Sequence, residues 1–200
     1  MFRQLKKTLK LSFITDAKIK KSDDKKLEEV KEEMMDEMDD PIGWHTMGIP
    51  LIISAILTAI SFSLPQISIW HVISKWMNWS EHAFFIGAMI TDLVGCIIII
   101  PLMAVVGKGQ YMALKSYVYV AFSTAILAIL FLIYTTFGTL LGADIKTTHL
   151  IVSIINVILI IISLMCINSL VFYRMIAYYL HNRAWRKQIE MQRKKPHLVK

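Results

Sequence analysis

Cysteine is almost missing from this chain of 200 residues, and its two examples, Cys96 and Cys166, both sit inside apolar runs. A disulfide framework is thereby excluded. The two thiols read as small apolar packing residues at different depths, with no bond expected between them. Charge is scarce as well: 18% of residues are charged against 56% hydrophobic, the wrong balance for one soluble domain. Catalytic signatures are lacking. There is no Gly-x-Ser-x-Gly elbow, His-Glu-x-x-His, phosphate-binding glycine loop or CxxC, so no enzyme is expected.

Other absences remove ligand classes. The acidic stretch has no Asp-x-Asp-x-Asp-Gly pattern with a twelfth-position Glu, as a calcium loop needs. His71, His82 and His149, near Glu81 and Asp144, match no ligand spacing, and no histidine lies deep in an apolar run where haem would need one. Neither a metal nor a cofactor is expected. The opening MFRQLKKTLKLSFI lacks the apolar core and small-residue cleavage site of a secretory signal.

What the chain does have is long hydrophobic runs. Between Met47 and Tyr173 the charged residues are Lys75, Glu81, Asp92, Lys108, Lys115, Asp144 and Lys146, and all but Asp92 fall in short gaps. A hydrocarbon core ~30 Å thick needs about 20 apolar helical residues. Four spans follow, at 48–70, 84–107, 116–141 and 149–173. Helices are expected rather than a barrel, because the runs show no period-two alternation. The expected fold is all-α: a polytopic membrane protein with four transmembrane helices in an antiparallel bundle and cytoplasmic N- and C-terminal tails. Its divisions are 1–46, the four-helix region 47–173, and the basic tail 174–200.

Orientation follows from charge. Beyond Tyr173 the chain carries Arg174, Arg183, Arg186, Lys187, Arg193, Lys194, Lys195 and Lys200 against Glu190 alone, and such basic flanks stay on the cytoplasmic side. An even number of spans brings the N-terminus to the same side, and the Lys108 and Lys115 gap agrees. A bacterial inner membrane fits this bias. The lipid bilayer and its anionic headgroups are the expected partners of Arg174, Arg183, Arg186, Lys187, Arg193, Lys194 and Lys195, with another protein as the alternative. Nucleic acid is not the expected anion, since the tail directly follows a span.

The N-terminal region has two parts. Phe2, Leu5, Leu9 and Phe13 recur at helical spacing among Arg3, Lys6, Lys7 and Lys10, the pattern of a helix lying on an anionic membrane face. A frayed basic tail is the alternative. The charge then reverses in LEEVKEEMMDEMDD, where Leu27, Val30, Met34 and Met38 form a narrow apolar stripe, so a helix docked on the basic C-terminal tail or on a partner is expected. Asp40 and Pro41 should end it, and Trp44 should mark the interface. Pro65 is expected to bend or end the first span, ahead of an outer connection from His71 to Ala83. No breaker precedes Pro196, so the last helix is expected to run on past Tyr173.

Asp92 is the most informative residue. A carboxylate inside a span costs several kcal/mol unless neutral, paired or facing water. Gly87, Thr91 and Gly95 repeat every four residues beside it and form a helix-packing seam. Counted at 1.5 Å per residue, Ser61, Tyr134, Thr135 and Asn156 reach about the same depth on the other spans. The expectation is an intramembrane polar cluster of Asp92, Ser61, Tyr134, Thr135 and Asn156. Asp92 would act as neutral helix glue, as a proton or cation relay, or as a contact to another subunit.

The expected function is a non-enzymatic membrane subunit of a secretion, transfer or respiratory complex, docking through its charged tails to other subunits. The alternative is a small oligomeric transporter or channel using Asp92. A membrane immunity or stress protein is the second alternative.

Overall fold

A computed structural model describes residues 2–39, 43, 46–80, 82–141 and 147–194. Their regular structure is helical: α1 (Arg3–Lys21), α2 (Asp24–Met38), α3 (Ile49–Trp76), α4 (Ala83–Gly107), α5 (Tyr111–Leu140), α6 (Thr147–Ile167) and α7 (Leu170–Lys194). Four of them, α3 to α6, are long and apolar enough to cross a membrane. The shortest of these, α6 with 21 residues, extends about 31 Å at 1.5 Å per residue, which still matches the hydrocarbon thickness. Asp40, Pro41, Trp44, Glu81, Asp144, Lys146 and Lys195 lie outside the described residues.

Two helix boundaries differ from the sequence expectation. Pro65 does not end α3, which continues to Trp76, so the connection begins six residues later than His71. Within an apolar phase, ending a helix exposes several backbone groups, whereas a proline forfeits a single bond, and continuation is the cheaper outcome. The helix ends instead in a Schellman turn. Trp79 N–H donates to Ser74 O at 2.9 Å and Asn78 N–H to Lys75 O at 3.4 Å, with Asn78 left-handed at φ 54°.

The second difference is at the C-terminal end. The fourth apolar helix does not run on past Tyr173: α6 stops at Ile167 and α7 starts afresh at Leu170. Ser169 makes the break, since its hydroxyl donates to Cys166 O at 2.7 Å and accepts the Phe172 amide at 3.1 Å. That is an N-cap placed inside an apolar stretch.

The chain divides into two compact units. The first comprises Met1–Ile52, Leu102–Ser116 and Cys166–Lys200, and in it α7 packs against both α1 and α2. The acidic α2 buries Leu27, Val30, Met34 and Met38, while α7 contributes Phe172, Met175, Ile176 and Leu180 to the same core. Along α1 the buried positions Leu5, Thr8, Ser12, Thr15 and Ile19 alternate by three and four, a coiled-coil seam. Of the expected stripe of Phe2, Leu5, Leu9 and Phe13, only Leu5 belongs to this seam, and Phe13 is 57% exposed. Buried hydroxyls fill the rest of the seam: Thr8 donates to Gln4 O at 2.9 Å, and Thr15 contacts Met34 Sδ at 3.9 Å.

The second unit, Ile53–Pro101 with Tyr117–Met165, holds most of the four apolar helices. Ser54, Ser61 and Ser68 on α3 recur every seven residues, and so do His149, Asn156 and Ser163 on α6. They bond in reversed order: Ser54 to Ser163 at 2.9 Å, Ser61 to Asn156 at 2.5 Å and Ser68 to His149 at 3.1 Å. These two helices therefore run antiparallel along a polar seam of heptad spacing.

Candidate functional site

The seam is the best-defined polar feature of the second unit. At one end Ser54 also bonds Tyr117 of α5 at 2.7 Å, and Thr58 bonds Ser163 at 2.8 Å, so three helices share a hydroxyl cluster. Ser54, Thr58, Ser61, Tyr117, Asn156 and Ser163 are all fully buried. Hydroxyls that donate to neighbouring hydroxyls or backbone carbonyls satisfy themselves at little cost, which suits helices packed where water is scarce. Thr135, also buried, bonds Ser153 of α6 at 2.8 Å and its own helix carbonyl at Phe131 at 3.1 Å.

Asp92 does not join this network. Its Oδ1 is buried and accepts no hydrogen bond among the described residues. The cluster expected around it is corrected in three respects. Ser61 and Asn156 bond each other, Thr135 bonds Ser153, and Tyr134 is 50% exposed on a cleft of about 310 Å³ lined by Pro65, Ile69, Leu127, Leu130 and Phe131. Equal depth along four helices is not equal azimuth: these side chains point along other seams. Asn156 keeps an unmet need of its own, because its Nδ2 is buried without an acceptor.

The surroundings of Asp92 follow from the packing of α4 on α3. A Cβ at Gly87 would lie 2.3 Å from the Trp70 ring, and one at Gly95 would lie 3.0 Å from Phe62. Thr91, between them, accepts the Trp70 indole N–H at 2.8 Å and donates to Gly87 O at 2.9 Å. The seam of Gly87, Thr91 and Gly95 is thus filled by two α3 aromatics. Asp92 follows Thr91 directly and is half-buried at the edge of this seam. Beyond it, Leu93, Val94, Ile97 and Ile98 are exposed, and α4 is the least buried of the four apolar helices. Cys96 is exposed and Cys166 half-buried, both as free thiols.

In the first unit, most of the cations assigned to lipid or partner contacts are engaged within the chain. Arg174 pairs with Asp39. Arg183 pairs with Asp16 and donates to Gly109 O at 2.8 Å. Arg186 reaches Lys108 O at 3.5 Å, and Lys187 donates to the Ile19 carbonyl and to Lys20 O at 3.1 Å. Arg193 and Lys194 are exposed, and Lys195 lies outside the described residues. The acids of α2 point the same way: Glu37 accepts the Tyr173 hydroxyl at 2.6 Å and Glu28 accepts Gln188 at 2.9 Å. Burial alone would raise the Asp16 carboxyl, but hydrogen bonds from Lys20 and Arg183, with their charges, hold it below its ordinary 3.8. His181 is lowered as well, from its ordinary 6.5, because burial disfavours its charged ring.

Sequence reasoning missed the Asn168 side chain, which accepts the Leu5 amide at 3.0 Å and so caps α1 from another part of the chain. It also missed the heptad register of the two seam sets, a signal present in the spacing of Ser54, Ser61 and Ser68.

Among the described residues no three His, Cys, Asp or Glu side chains gather into a metal-holding group. Four helices long and apolar enough to cross a membrane define the class as integral membrane protein. Comparison with known protein families, with curated proteins and with solved structures finds no match to this chain.

Proposed function

We propose that the protein is a non-enzymatic subunit of a larger assembly in a bacterial inner membrane. Its apolar helices form an antiparallel four-helix bundle, and both termini are cytoplasmic. The observation that carries this reading is the buried, unpartnered Oδ1 of Asp92 on the least buried apolar helix. That oxygen is closed off within the chain, but the half-buried carboxyl group still lacks a donor, and a neighbouring protein can supply one to the part of the side chain that stays accessible. The exposed Phe85 and Met89, seven and three residues before it on the same face of α4, supply an apolar surface for that neighbour. The docking role first expected of the charged tails passes to α4, because Arg174, Arg183 and the α2 acids Glu28 and Glu37 are taken up inside the chain.

Extraction in a gentle detergent, followed by mass spectrometry of whatever co-purifies, tests the proposal. Wild type should bring down a partner in fixed stoichiometry, and Asp92→Asn should weaken that association while the monomer stays folded. Isolation of a pure homo-oligomer, with Asp92-dependent cation flux in liposomes, would replace the subunit by a transporter. A monomer with no partner and no flux would remove both.

A further inference from the structure

The cations left over are concentrated on α1. This helix carries Arg3, Lys6, Lys7, Lys10, Lys18, Lys20 and Lys21 against one acid, Asp16, and that acid is turned inward to Arg183. Lys18 pairs with Glu33 and Lys20 with Asp16. Arg3, Lys6, Lys7 and Lys10 are exposed, and no ion pair joins them among the described residues. They line, with Phe2, an open cleft of about 420 Å³. Next to this cationic strip, Phe13 and Ile14 are 57% and 40% exposed.

Two anchors fix how α1 lies. Near its start the Leu5 amide is capped by Asn168, which immediately follows α6. Eight residues on, Phe13 meets Tyr111, the first residue of α5, edge to face with ring centroids 5.2 Å apart. The anchors are separated by about 12 Å along the helix axis. If α5 and α6 cross the bilayer in opposite senses, the end of one and the start of the other lie at the same membrane face. A helix tied to both runs along that face instead of projecting from it. This step rests on the four-span reading above, but not on Asp92.

We propose that α1 is an interfacial helix whose Arg3, Lys6, Lys7 and Lys10 strip binds the phosphates of anionic phospholipid, with Phe13 and Ile14 set into the headgroup boundary. Uncompensated charge of one sign beside exposed aromatic and aliphatic side chains is what an anionic lipid surface selects. An acidic protein segment would meet the charge but would leave Phe13 and Ile14 in water. The C-terminal cations, largely committed to backbone carbonyls and acids, contribute much less.

Hydrogen exchange on the full chain in nanodiscs provides the test. Exchange of the α1 amides should slow when phosphatidylglycerol is mixed into phosphatidylcholine, and salt should reverse the effect. Each neutralised lysine should weaken the attraction roughly fivefold, so K6Q/K7Q/K10Q should lose on the order of a hundredfold in lipid-dependent protection. K6R/K7R/K10R should retain it, and R193Q/K194Q should change it little. Asp92→Asn should leave it intact, which separates this outcome from failure of the subunit reading. The proposal is overturned if phosphatidylglycerol does not alter α1 exchange, if R193Q/K194Q removes as much protection as the α1 variant, or if polyglutamate protects α1 where phosphatidylglycerol does not.

Discussion

Replacing Asp16 with Ala should release α1 from α7, and the size of the effect can be worked from the contacts. Asp16 is 10% exposed and its partner Arg183 is 20% exposed, so the pair is shielded but not dry. A hydrogen bond to a charged group contributes about 1.5–3 kcal/mol, and partial solvent screening places this one toward the lower end. Lys20, 61% exposed and one turn away at 2.7 Å, adds about 0.3–0.5 kcal/mol. The sum is about 2 kcal/mol, or roughly thirtyfold in the equilibrium for opening α1. Arg183 keeps its bond to Gly109 O, so α7 itself should stay closed. Amide exchange in detergent reads this directly: α1 should exchange about thirtyfold faster in Asp16→Ala, with α7 unchanged. Asp16→Asn, which retains an acceptor but no charge, should fall between. A change below about threefold would mean the pair behaves like an ordinary surface contact, and the packing of α1 would need another explanation.

The same carboxyl sets a pH dependence. Its folded value is depressed below 3.8, so the unfolded chain binds the proton first. The stabilisation is complete above the ordinary carboxylate range and disappears as pH falls through the lower folded value. Wild type should therefore loosen at α1 on acidification below about pH 4, and Asp16→Ala should lack that transition.

Further expectations can be checked by unfolding or exchange in detergent. His181 is lowered by burial, so the unfolded chain takes its proton first as pH drops below 6.5; stability should decline through that window, and His181→Gln should abolish the step. Gly109 sits at φ +73° with a would-be Cβ 2.7 Å from Tyr179 O, so Gly109→Ala should cost about 1–2 kcal/mol for the left-handed backbone alone, and more for the clash, lowering the thermal midpoint. Ser169→Ala should cost about 1 kcal/mol and raise exchange at Phe172, whose amide it leaves uncapped. A double-mutant cycle of Ser61→Ala with Asn156→Leu should return a coupling of about 0.6 kcal/mol, and no more than about 2.

The membrane helices were legible because their evidence is continuous: some twenty apolar residues in a row override local propensity. Breaks within such runs were not. Pro65 looks like a terminator and is not one, because an apolar surround penalises helix ends more than it penalises one missing amide. Ser169 looks unremarkable and is a cap, because capping depends on a hydroxyl meeting two backbone groups, a geometry that hydropathy does not register. For α1 the apolar residues did not mark the face packed within the protein. Thr8, Ser12 and Thr15 occupy the buried stripe, while Phe13 faces outward, so the hydrophobic pattern marked the flank of the helix and not its packing face. In the polar layer Ser61 and Asn156 meet each other, but depth along four helices carries no azimuth, and Asp92 lies at the edge of the seam that Thr91 and the glycines turn toward Trp70 and Phe62.

Azimuth and pairing together decide how the net charge of +7 is displayed. Acidic α2 and basic α7 read as two docking arms, yet Glu28, Glu37 and Asp39 reach Gln188, Tyr173 and Arg174, so within the first unit each is the other's partner. Tyr173 shows the cost of exposing this arrangement: burial, and then Glu37, push its hydroxyl well above the usual phenol range, so it serves as a fixed donor to that carboxylate. What remains outward is the strip on α1, Arg193 and Lys194 at the far end of α7, and the scattered Lys21, Lys25, Lys26, Lys75 and Lys108. A soluble acidic partner competing for α7 would first have to displace α2, together with its buried Leu27, Val30 and Met34. An anionic surface meeting α1 displaces nothing. Charge that is already unpaired and exposed is the charge that sets the association, and its densest basic strip, Arg3, Lys6, Lys7 and Lys10, is on the N-terminal helix.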